Sequence, residues 1–115
     1  MTWGYHLSLD CYDANKDSIK DYDTVYKFTK ELVKEIDMKA YGEPQIIHFG
    51  EGDKEGFTLV QLIETSNICA HFCNDSGNFY LDVFSCKHFP ASVVESVVQN
   101  HFSPNQIVAR FVTRE

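Results

Sequence analysis

The chain reads as an α+β two-layer sandwich, a mainly antiparallel sheet with two helices packed on one face, in the order β-α-β-β-β-β-α-β. Three observations carry that reading. Two segments repeat their apolar residues at helical spacing, several short runs are rich in β-branched and aromatic residues, and the turn signal NDSG joins two of those runs. A length of 115 residues makes this one domain, residues 1–115, long enough to bury a core without staples.

Trp3 to Tyr12 alternates as a strand, with Trp3, Tyr5, Leu7, Leu9 and Cys11 sharing a face. DANKDS after it supplies turn and cap residues. From about Tyr22 to Met38, Val25, Phe28, Leu32, Val33 and Ile36 recur at helical spacing. Lys27, Lys30, Glu31, Lys34 and Glu35 fill the opposite face, so this is an amphipathic surface helix. Gln45 to Phe49 is a short strand, and GEGDKEG is a flexible loop. Phe57 to Ile63 and Ile68 to Phe72 are strands separated by a break at Thr65–Ser66–Asn67. Asn78 to Cys86 pairs back across NDSG. Pro90 opens the helix ASVVESVVQNHF, SPN ends it, and Ile107 to Thr113 closes the chain as a strand.

The formal charge of −7 argues against nucleic acid, which needs a basic footprint, and suits a cationic small molecule. No apolar run approaches the roughly 18 residues of a membrane span. MTWGYHLSLD lacks the basic and apolar regions of a signal peptide, which places the protein in the cytoplasm. Cys11, Cys69, Cys73 and Cys86 are then reduced thiols, by default small buried hydrophobes.

One stretch resists the default. ETSNICAHFC, Glu64 to Cys73, puts a serine, an imidazole and two thiols where a buried strand usually carries Val, Ile or Phe. Cys69, His71 and Cys73 alternate and so share one face of a regular strand. They could begin a zinc site with Cys86 or His88, although zinc knuckles generally sit on turns, and no metal is assigned. A Cys–His nucleophile pair is a second reading. A third starts from the break, where a serine in a tight turn presents its hydroxyl to the preceding carbonyl carbon. An N→O acyl shift followed by β-elimination would then cut the chain and leave a pyruvoyl group.

TSNICAH resembles the self-processing segment ESHLSIH of the prokaryotic S-adenosylmethionine decarboxylases, and DVFSC, Asp82 to Cys86, is similar to that family's DVFTC. GYHLSLD is like its GRHLLVE, and IIHFG is like its aromatic-bearing segment. Order and spacing are shared over essentially the whole chain. The resemblance implies cleavage between Thr65 and Ser66, giving a β chain of residues 1–65 and an α chain headed by a pyruvoyl made from Ser66. It also implies that His71 abstracts the Cα proton during processing and that Cys86 is the general acid of turnover, with Thr58 keeping the hydroxyl of a processing serine. Phe49 matches the aromatic stacked on adenine. The group's ketone would condense with the substrate amine and act as electron sink for decarboxylation. Family members are dimers whose sites draw on both protomers, so a homodimer is expected.

Several recognition positions differ. Thr65 replaces Glu, Asn67 replaces His, Cys69 replaces Ser, and the shorter Asp75 stands nearest the ribose-binding Glu. The expected activity is decarboxylation of S-adenosylmethionine to the aminopropyl donor for spermidine. Two alternatives stand beside it: the same machinery acting on ornithine or arginine, and a non-cleaving paralogue that binds a ligand or partner.

Overall fold

The computed structural model describes residues 2–115. Six strands form one antiparallel sheet: β1 (Gly4–Tyr12), β2 (Gln45–Phe49), β3 (Gly56–Ile63), β4 (Ser66–Phe72), β5 (Phe79–Ser85) and β6 (Gln106–Arg114). Their spatial order is β2-β3-β4-β5-β1-β6. Three helices accompany them, α1 (Lys16–Ile19), α2 (Tyr22–Glu35) and α3 (Ala91–Phe102). This is the expected α+β sandwich. The short α1 departs from the sequence expectation, because DANKDS carries no apolar period. Asn15 caps it by accepting the Ser18 N–H at 3.1 Å.

Asp21 caps α2 in the same way, accepting the Thr24 N–H at 3.1 Å. The helix stops earlier than its apolar period, because Asp37 turns left-handed at φ 58° and Met38 N–H reaches back to the Val33 carbonyl at 2.9 Å. Val25, Phe28, Leu32 and Val33 are buried as their spacing requires. Ser103, at φ 47°, ends α3 ahead of Pro104.

The core lies between the helices and one face of the sheet. On β4 the buried residues are Ile68, Ala70 and Phe72, and on β5 they are Phe79, Leu81, Val83 and Ser85. Phe102 of α3 meets Phe28 of α2, Phe72 and Phe79 with ring centroids 4.8, 5.2 and 5.1 Å away. Edge-to-face and tilted contacts of this kind add about 0.5–1.5 kcal/mol each beyond burial. Trp3 lies just before β1 rather than in its buried row, 57% exposed and stacked on Phe84 at 5.8 Å.

The other sheet face has no cover among the described residues. By register it carries Ile47 and Phe49 (β2), Leu62 (β3), Tyr80 (β5) and Val112 (β6), all exposed large hydrophobics. Among the described residues no helix is long and apolar enough to cross a membrane.

β3 begins where it passes closest to the end of β4. A Cβ on Gly56 would sit 1.8 Å from the Phe72 carbonyl oxygen, so no side chain fits there. We expect Gly56→Ala to lower the urea midpoint, with a loss of roughly 3 kcal/mol. An unchanged midpoint would show that the two strands can separate locally at no cost.

Candidate active site

Polar and chemically active residues gather at two ends of the β3–β4 hairpin. The first end is the hairpin turn. Ile63 and Ser66 are register partners, so the turn is Glu64–Thr65 alone, and Ser66 and Asn67 already belong to β4. The expected three-residue break is therefore shorter and one residue earlier. Both turn residues have negative φ, whereas two-residue hairpins favour positive values. Tertiary bonds hold the turn instead. Glu64 N–H donates to the Lys39 carbonyl at 2.9 Å, and Cys86 N–H donates to the Thr65 carbonyl at 3.1 Å.

Thr65 is held by its side chain as well. The buried Ser85 hydroxyl donates to Thr65 Oγ1 at 2.7 Å, and the Thr65 hydroxyl donates to Met38 Sδ at 3.3 Å. Ser66 pairs with Ser85 across the β4–β5 ladder. Among the described residues its hydroxyl has no hydrogen-bond partner. An uncommitted hydroxyl thus follows a carbonyl that is already polarised by an N–H, the arrangement that stabilises an oxyanion at that carbon. Cys86 is exposed beside it. The residue types fit a serine-derived carbonyl group at position 66: a free nucleophilic hydroxyl, a polarised acyl neighbour and a nearby thiol.

The second end lies five residues along β4. Thr58 and His71 are register partners, and Thr58 Oγ1 lies 2.6 Å from His71 Nδ1. His71 Nε2 lies 2.7 Å from the Lys54 carbonyl oxygen, which can only accept. Nε2 therefore carries the proton, and Nδ1 accepts from the Thr58 hydroxyl. A hydroxyl, an imidazole and an orienting oxygen stand in line, as in a catalytic triad. Phe49 approaches His71 with ring centroids 6.1 Å apart. Lys54 had no sequence signal, because its contribution is a backbone carbonyl in the Gly52–Lys54 3-10 turn.

Within one chain the two ends do not meet. Five residues of strand span about 17 Å. Ser66 shares the parity of the buried Ile68 and Ala70, whereas His71 shares that of Asn67 and Cys69 on the uncovered face.

Cys69 lies between the ends, its Sγ 3.7 Å from Asn67 Oδ1. Its thiol pKa is raised by partial burial and then by Asp82. Cys73 leaves the expected row: β4 ends at Phe72, and Cys73 is buried beyond it. Among the described residues no three His, Cys, Asp or Glu side chains converge to hold a metal. Asp75 lines an open cleft of about 500 Å³ with Lys16, Lys20, Asp53, Glu55 and Asn74. Ser85, a buried polar residue, is a further member of the site that the sequence does not mark. Its only signal was a hydroxyl at a core position of DVFSC, which looked like ordinary strand.

Burial, with help from Asp10 and Glu95, pushes the Cys11 thiol up to about 12, so it stays protonated and inert. We expect a thiol reagent to label exposed Cys86 first in the native protein and Cys11 only after unfolding. Labelling of Cys11 at the rate of Cys86 would contradict its burial.

Comparison with known proteins agrees with this fold. A solved structure described as the adenosylmethionine decarboxylase from Aquifex aeolicus VF5 superposes with a TM-score of 0.83 at 23% identity, over 98% of this chain and 91% of that one. That likeness shows a shared fold. The sequence model of the S-adenosylmethionine decarboxylase family matches residues 5–115, and the chain belongs to that family.

Proposed function

We propose that this protein is a pyruvoyl-dependent S-adenosylmethionine decarboxylase that cuts itself between Thr65 and Ser66 and works as a homodimer. The observation that carries the reading is the Thr65 carbonyl, gripped by Cys86 N–H at 3.1 Å next to the free Ser66 hydroxyl. Ser66 Oγ attacks the Thr65 carbonyl carbon, the C–N bond breaks, and the proton passes from oxygen to the released amine. His71 then takes the Ser66 Cα proton, the Cβ–Oγ bond breaks, and Thr65 leaves as a carboxylate. The dehydroalanine left behind takes up water and loses ammonia.

The pyruvoyl group so formed supplies a ketone that takes up the electrons left by departing CO₂. Cys86 donates the proton to the substrate carbon that lost CO₂, a task for which an exposed thiol beside the Glu64–Thr65 turn is well placed. Phe49 offers a face to the adenine. Asn67 and Cys69 line the path between the ends on the uncovered face. The product would be the aminopropyl donor for spermidine. Four free cysteines suit the reducing cytoplasm.

The distance between Ser66 and His71 supports the dimer. A two-fold axis through the uncovered face would set the Ser66 end of one copy against the Thr58–His71 end of the other, completing two sites. The exposed Ile47, Phe49, Leu62, Tyr80 and Val112 are what such stacking would bury.

A second reading keeps the machinery and changes the substrate to ornithine or arginine. It rests on Thr65, Asn67 and Asp75, and on the placing of Asp75 in a cleft with Lys16 and Lys20.

Denaturing intact-mass measurement should give two fragments, residues 1–65 and a chain blocked at residue 66. CO₂ release should be faster from S-adenosylmethionine than from ornithine or arginine, and the reverse order would select the second reading. A single uncleaved mass after prolonged warming would sink the proposal. Neither Ser66→Ala nor His71→Ala alone should cleave, yet their co-expression should restore cutting of the His71→Ala chain. No restoration in mixed dimers would refute sharing of the site.

A further inference from the structure

We propose that Ser85 is a positioning residue for self-cleavage, its buried hydroxyl holding Thr65 in line for attack by Ser66. The inference deepens the self-cleaving reading above and rests on it.

Ser85 is fully buried on the core side of β5, in the row of Phe79, Leu81 and Val83. Burying a hydroxyl is costly unless it is bonded. Every bond here is accounted for. Ser85 Oγ has one proton and gives it to Thr65 Oγ1 at 2.7 Å, in preference to Met38 Sδ at 3.7 Å. It accepts the Lys87 N–H at 3.0 Å. Thr65 passes its own proton on to Met38 Sδ at 3.3 Å. The chain of donors runs in one direction from Lys87 to Ser85 to Thr65 to Met38, with no conflict.

The ring closes at its far side. Lys87 Nζ donates to the Asp37 carbonyl at 2.6 Å and lies 3.0 Å from its carboxylate. Asp37 precedes Met38, so the last acceptor is tied to the first donor. Consecutive residues of one strand end therefore grip both parts of Thr65. Ser85 holds its side chain, and Cys86 holds its carbonyl. Together they restrict rotation about χ1 and ψ of the residue whose carbonyl carbon is attacked. Holding the reacting atoms in line is worth a large factor in rate, and a misplacement of about 1 Å can lose 100-fold.

The test is the self-cleavage rate, followed by intact mass from freshly made chain, with melting temperature recorded alongside. Ser85→Ala should slow cutting about 10- to 100-fold. Ser85→Thr, which keeps the hydroxyl, should restore it. Thr65→Val, at the half-buried turn, should slow cutting to the same degree, and the double variant should be no slower than either single one. Should Ser85→Ala fail to fold, Thr65→Val against the parent chain carries the test. A parent chain that cuts while both single variants keep its rate overturns the role of Ser85 alone. Additive slowing in the double variant overturns the pair. A parent chain that never cuts overturns this proposal together with the self-cleaving reading.

Discussion

The seating of Phe72 is the contact on which the rest depends. Its ring lies between Phe79 of β5 and Phe102 of α3, with centroids 4.9 and 5.2 Å away, and Phe28 of α2 completes the cluster. The last residue of β4 is thereby fixed to both helices and to the neighbouring strand. Because side chains alternate, a slip of one residue would turn the whole of β4 over. Ser66 and His71 would exchange faces, Ile68 and Ala70 would enter solvent, and the Thr58–His71 pairing would be lost. The aromatic cluster sets the chemistry at a distance by fixing a register.

A second consequence follows from the same alternation. Helices cover only the Phe72 face, so the face that bears Asn67, Cys69 and His71 remains open and carries exposed Ile47, Phe49, Leu62, Tyr80 and Val112. It also holds polar pairs: His6 Nε2 lies 3.1 Å from Asp82, and Arg110 lies 2.9 Å from Asp10. Antiparallel sheets tolerate one wet face. This face is more apolar than a wet face needs to be, and covering the paired Arg110 and Asp10 costs less than covering either charge alone.

The four thiols show how environment divides one residue type. Cys11 is sealed beneath the sheet and held protonated, and Cys73 is buried past the end of β4. Cys69 is half-buried on the open face beside Asp82. Cys86 alone is exposed, and its own backbone N–H holds the Thr65 carbonyl. Accessibility separates Cys86 from the others, and the proposed role of proton donor requires it.

Local patterns were enough for the sequence to determine the six strands, the two long helices and their order, because periodicities of 2 and 3.6 are written in adjacent residues. Leu32, Phe28 and Val25 in α2, and Ile68, Ala70 and Phe72 in β4, lie where their spacing required. The spacing of Ser66, His71 and Cys86 was likewise legible as a motif. What only the tertiary structure decided is which of these residues can act together. The grip of Ser85 and Cys86 on Thr65 joins positions 20 and 21 residues apart, and the orienting oxygen for His71 belongs to a backbone in a distant turn. Such contacts leave no periodic trace, since they depend on strand register and chain reversal rather than on neighbouring side chains. The same holds for the gap between Ser66 and His71: a spacing of five residues looks close in a sequence, but on a strand it means opposite faces about 17 Å apart.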